Sequence, residues 1–108
     1  LTGGPGFDTF VFDSAVNGTN ISRITDMTPG GDAIDLAISV FTNLSGTGVL
    51  LSKEFEIGAA ATSADTRIVY NSATGALFYT PNGNGGAQTK FGQVDDNLAL
   101  SNTDFFVI

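Results

Sequence analysis

Gly3-Gly4-Pro5-Gly6-Phe7-Asp8-Thr9-Phe10-Val11-Phe12 is the stretch from which the rest of the chain is read. Its glycines let the backbone curl and bring carbonyl oxygens to one side, because glycine adopts φ angles that other residues avoid. Asp8 follows with an anionic oxygen. From there Phe10 and Phe12 alternate with Thr9 and Val11, the two-residue period of a short strand with one strongly apolar face.

Outward from this stretch the chain reads as short strands separated by turns. Residues 13–20 turn, and residues 21–25 read as a second short strand. Thr28-Pro29-Gly30-Gly31-Asp32 is a turn by composition, since proline fixes φ and glycine permits positive values. Residues 33–36 form a third strand, in which Ile34 and Leu36 point one way and Asp35 the other. Residues 39–44 have room for one helical turn, and Ser45-Gly46-Thr47-Gly48 reads as a flexible joint between two halves. In the second half, Phe55 and Ile57 flank Glu56 on a strand whose solvated face carries Glu54 and Glu56. The clearest hairpin runs from residues 66–71 through Ser72-Ala73-Thr74-Gly75 into residues 76–79, with Gly75 supplying the positive φ of the turn. Residues 81–86 turn again, residues 87–94 and 104–108 are the last strands, and no segment supports a long helix.

Composition narrows the chemistry. The 108 residues fit one domain at the usual ~100–200 residues, and 42% hydrophobic residues supply a core without staples. Cysteine is absent, which excludes disulfides and thiolate metal sites. Histidine is absent too, which removes Ser-His-Asp and Cys-His machinery, imidazole-bound zinc and any imidazole-based pH switch. Eleven acidic residues against four basic ones (Arg23, Lys53, Arg67, Lys90) give a net charge of −7, which disfavours nucleic acid and anionic membranes and attracts cations. Fourteen glycines, 14% charged residues and a mean hydropathy of +0.18 point to many tight turns rather than to disorder. No apolar run approaches the ~20 residues that cross a bilayer, and no N-terminal export signal opens the sequence. A G-x-S-x-G nucleophile is missing, and Glu54 and Glu56 read as a solvated face beside Lys53 rather than as a glycosidase pair, so the chain reads as non-catalytic.

Residues 3–11 match the nonapeptide G-G-x-G-x-D-x-U-x at every defined position, U being a large apolar residue. They resemble the RTX (repeats-in-toxin) family of secreted bacterial proteins, whose repeats wind into a parallel β-roll that binds Ca²⁺ between stacked turns. Ile24-Thr25-Asp26-Met27-Thr28-Pro29-Gly30-Gly31-Asp32-Ala33-Ile34-Asp35-Leu36 resembles the I-x-D-F-x-x-G-x-D-x-I-D-L segment that follows the last repeat, with Met27 in the place of Phe. The resemblance implies a calcium site with the backbone around Gly3, Gly4 and Gly6 and the Asp8 carboxylate on one side, and Asp26, Asp32 and Asp35 on another. Oxygen is the right donor, since Ca²⁺ takes roughly six to eight hard oxygen ligands at ~2.3–2.6 Å.

Residues 65–79, with Phe91 and residues 100–105 further on, look like the region that closes many RTX chains and caps the roll. Relatives carry D-x-D-G-x-G after the second aromatic strand, whereas this chain has Thr80-Pro81-Asn82-Gly83-Asn84-Gly85, so no calcium site is expected in that loop. Asp104-Phe105-Phe106-Val107-Ile108, an acidic residue followed by four apolar ones, is similar to the uncleaved terminal signature of type I secretion substrates. The implied architecture is all-β: the end of a parallel β-roll over residues 1–44, and a β-rich cap over residues 45–108 that ends in the secretion signal, together one compact unit. Because the first residue already lies inside a motif, the expected context is the C-terminal part of a longer protein. The implied partners are calcium ions, upstream repeats of the parent chain and the type I exporter before folding, and the implied location is extracellular. As hairpin residues Tyr70, Phe78 and Tyr79 read as core or cap packing, and a second reading makes them an exposed aromatic platform in a polysaccharide-binding or adhesive module.

Overall fold

Residues 9–12 and 33–36 each alternate, and both place large apolar side chains on one side: Phe10 and Phe12 in the first, Ile34 and Leu36 in the second. Removing those faces from water together is the driving force that sets the two segments side by side. The computed structural model describes residues 8–13, 22–24, 27, 31–83 and 87–108. Among them the strands are β1 (Thr9–Phe12), β2 (Ser22–Arg23), β3 (Ala33–Leu36), β4 (Gly48–Val49), β5 (Phe55–Ile57), β6 (Ile68–Asn71), β7 (Ala76–Tyr79), β8 (Thr89–Gln93) and β9 (Phe105–Val107). The helical content is two 3₁₀ turns, Ser52–Glu54 and Asn102–Asp104. The expectation of a β-rich chain without a long helix holds for the described residues.

The strands form two mixed sheets, one of order β1-β3-β9-β4 and one of order β2-β8-β7-β6-β5. In the first, β1, β3 and β9 run parallel and β4 runs antiparallel to β9. In the second, β6, β7 and β8 form an antiparallel meander with parallel strands at both margins, β2 on β8 and β5 on β6. The chain thus leaves the first sheet after β1, contributes β2 to the other sheet, and returns as β3 beside β1. Each sheet draws strands from both sides of position 44, and residues 45–48 lead directly into β4.

The core lies between the sheets. Phe10, Phe12, Ile34, Leu36, Phe105 and Val107 from one sheet meet Ile68, Tyr70, Leu77, Tyr79 and Phe91 from the other. Phe12 stands edge-on to Phe91 at 5.3 Å between ring centroids, and Phe41, from the turns after β3, packs edge-on to both Tyr79 and Phe91 at 5.1 and 5.0 Å. Such edge-to-face pairs add to the area term because ring edges are positive and ring faces negative. Residues 38–44 make a run of turns, closed by Phe41 N–H to Ala37 O and Leu44 N–H to Phe41 O, where one helical turn was expected. Of the second strand expected over residues 21–25, Ser22 and Arg23 are in β2, Ile24 is not, and Ile21 and Thr25 lie outside the described residues.

Candidate metal centre

Parallel pairing of β1 and β3 in the register Thr9↔Ala33 sets the residues just before them, Asp8 and Asp32, side by side at the head of the sheet. Two hydrogen bonds fix them: the Asp8 N–H donates to Asp32 Oδ1 at 2.8 Å, and the Ala33 N–H donates to Asp8 O at 2.8 Å. Asp32 is buried and Asp8 half-buried. Asp8 Oδ2 is sealed from solvent and has no hydrogen-bond partner among the described residues. An orphaned buried acceptor costs about 1–3 kcal/mol and more when charged, and a second carboxylate alongside adds repulsion. A bound cation reverses both terms. The pair supplies hard anionic oxygens of the kind a calcium ion takes, and it fits the ion in that respect.

The other candidate ligands divide into two groups. Gly3, Gly4, Gly6 and Asp26 lie outside the described residues. Asp35 is described, and it does not join Asp8 and Asp32: it sits on the opposite face of β3, across from Val11 on β1 and Phe106 on β9. Burial between these apolar neighbours pushes the Asp35 carboxyl above its usual range. Among the described residues no group of three or more carboxylates converges in a way that would hold a metal.

The loop after β7 has no carboxylate to offer at Thr80, whose buried hydroxyl donates to Gly83 O at 3.0 Å; residues 84–86 lie outside the described residues. Of the two readings of the hairpin aromatics, core packing holds and the exposed platform does not. Tyr70 and Tyr79 are in the core and Phe78 is half-buried. The Tyr70 hydroxyl donates to Asp95 O at 2.6 Å and accepts the Leu98 N–H at 3.1 Å, while the Tyr79 hydroxyl accepts the Asn43 N–H at 2.9 Å. These rings fill the interior because a hairpin facing a second sheet must bury one side, and their hydroxyls tie down loops.

The two glutamates also differ from the expected solvated strand face. Glu54 ends the 3₁₀ turn, is only 6% exposed, and accepts the Ser45 N–H at Oε2, 3.2 Å away. Glu56, on β5, accepts from the Thr62 N–H and hydroxyl and from the Thr66 hydroxyl. Partial burial works to raise its pKa, but these three donors outweigh it and hold the carboxyl below its usual range. The chain matches no protein-family model, no curated protein and no solved structure.

Proposed function

We propose that this chain is a non-catalytic calcium-binding module of a secreted bacterial RTX-type protein, which folds when calcium fills a site at the head of β1 and β3. The observation that carries this reading is the orphaned Asp8 Oδ2 beside Asp32. The β1, β2, β3 path, with β1 and β3 parallel neighbours and β2 in the opposite sheet, is what one coil of a parallel roll requires. On this reading the meander β6 to β8 caps that coil, and Gly3, Gly4, Gly6 and Asp26 complete the ligand set. Asp35, on the other face, has a lesser part.

In a cytosol poor in calcium, repulsion among the aspartates keeps the segment open for export; outside, at roughly 10⁻⁴–10⁻³ M calcium, weak extracellular-type sites fill. Since the ion binds only the folded form, at a concentration 100 times its dissociation constant it adds about 2.7 kcal/mol of stability. Phe105 and Val107 are buried in the folded chain, so an exporter that reads residues 104–108 must do so before folding. A polysaccharide reading loses its platform with the burial of Tyr70 and Tyr79.

The test is far-UV circular dichroism of the chelator-treated protein during a calcium titration, with magnesium as control. A cooperative rise in β signal with calcium alone is expected. A folded protein indifferent to calcium overturns the proposal.

A further inference from the structure

Leu50 is buried and donates its N–H to Phe105 O, which turns its neighbours Val49 and Leu51 outward, each nearly half exposed. The following 3₁₀ turn is closed by the Glu54 N–H on Leu51 O. In such a turn residues three apart eclipse, so Glu54 comes back over Leu51. Ser45, Gly46, Thr47, Val49, Leu51 and Glu54 then line an open pocket of about 160 Å³. Its wall holds a carboxylate that is 6% exposed and is given one neutral donor, the Ser45 N–H on Oε2; among the described residues no donor reaches Oε1. Oε1 is thus open to a cation brought into the pocket, and none of the calcium-site residues lines it.

We propose that this pocket binds an aliphatic primary ammonium group. The choice follows from what the pocket lacks as well as what it holds. A divalent metal needs roughly six or more oxygens and favours several carboxylates, and here Glu54 is the one carboxylate in the lining. A guanidinium makes its strongest bond through both carboxylate oxygens at once, and Oε2 is already spent on Ser45. An ammonium is a compact point charge that one oxygen can take, and its methylene stem is the part that gains from lying along Val49 and Leu51. The volume is small beside the ~300–1,000 Å³ of pockets for drug-sized ligands, which limits the occupant to a short chain. A protein lysine and a free alkylamine share this chemistry. The site is independent of the calcium reading, since none of its residues belongs to that site.

The experiment is an amide NMR titration of the 108-residue chain with calcium in excess, using n-butylammonium, Nα-acetyl-lysine methylamide, the arginine analogue and n-pentanol. Saturable shifts at Ser45, Gly46, Thr47, Val49 and Glu54 with both ammonium probes, and not with pentanol, are expected. Tighter binding of the lysine amide identifies a protein lysine as the source, and tighter binding of butylammonium a free amine. Glu54→Gln, which keeps an acceptor for Ser45, weakens binding roughly tenfold or more. Leu51→Ser, at an exposed position, weakens the butyl probe and leaves the fold intact. Equal response to pentanol, preference for the arginine analogue, shifts of Glu54 on adding calcium alone, or unchanged affinity in either variant overturns the proposal.

Discussion

Asp8 and Asp32 are joined through a main-chain donor and a side-chain acceptor, the Asp8 N–H on Asp32 Oδ1 at 2.8 Å, while Asp8 Oδ2 has no partner among the described residues. That bond fixes the Asp32 carboxylate against the Asp8 main chain, and two like charges heading neighbouring strands oppose the arrangement. Neutralising one carboxylate therefore acts in opposite directions with and without calcium. Asp8→Asn should retain more β signal in chelator than the parent and need roughly tenfold more calcium at its midpoint, because charge count tunes such sites. Asp35→Asn, on the other face, should shift the midpoint less than Asp32→Asn. Circular dichroism across the titration reads both, and a midpoint unmoved by Asp8→Asn removes Asp8 from the site.

Tyr70→Phe should cost about 1–3 kcal/mol in denaturant unfolding, since it leaves Asp95 O and the Leu98 N–H without the hydroxyl they share. Burial raises the Tyr70 pKa, the Leu98 N–H opposes that, and Asp96 and Asp95 add to it. A pKa raised by folding gives stability that is complete below the unfolded value near ~10 and lost as pH rises through the folded value. The alkaline fall in stability should accordingly be shallower in Tyr70→Phe.

Gly75 stands at φ +81°, and a Cβ there would collide with Val94 O and crowd the Gln93 side chain. Gly75→Ala should be strongly destabilising, by about 2 kcal/mol or more, because strain and backbone collision act together. Urea unfolding measures it, and a near-neutral result would mean the hairpin turn closes differently.

Glu56 gives an acid-side prediction. Its pKa is lowered on folding, so its stabilising contribution is present above the unfolded value near ~4.3 and disappears as pH falls through the folded one. Glu56→Gln should lower the urea midpoint at pH 7 and leave a smaller difference at acid pH. An equal difference at both pH values would mean the loss is one of shape rather than charge.

Phe41→Ala should cost about 3–5 kcal/mol, as expected when a fully buried ring is removed from between two others. Thermal unfolding with calcium present is the measurement, and a loss under 1 kcal/mol would show that the turns after β3 collapse into the gap.

What the sequence made legible was local. The hairpin of β6 and β7 could be placed because alternation and Gly75 lie within a dozen positions, and Asp8 and Asp32 were singled out because each falls at an aspartate position of a short motif resemblance. Glu54 was misread because its two-residue spacing from Glu56 implied one continuous strand, whereas a 3₁₀ turn ends at Glu54 and breaks the alternation. Core packing of Tyr70 and Tyr79 was legible from their place in a hairpin, but what they pack against was not, because no local pattern announces the second sheet. The pairing of β3 with β9 is of the same kind: both are short apolar runs, and their register, Ile34↔Phe105, follows only from how the remaining core is filled.

The place of β9 has a consequence for synthesis. It lies between β3 and β4, and among the described residues it is β4's sole neighbour in that sheet and follows every other strand. A ribosome therefore delivers the inner strand after both of the strands it must join. Until Phe105–Val107 emerge, β4 has no sheet to belong to, and Ile34 and Leu36 lack one flank. Removal of Phe105–Val107 should then be felt as loss of a sheet interior rather than as trimming of an edge.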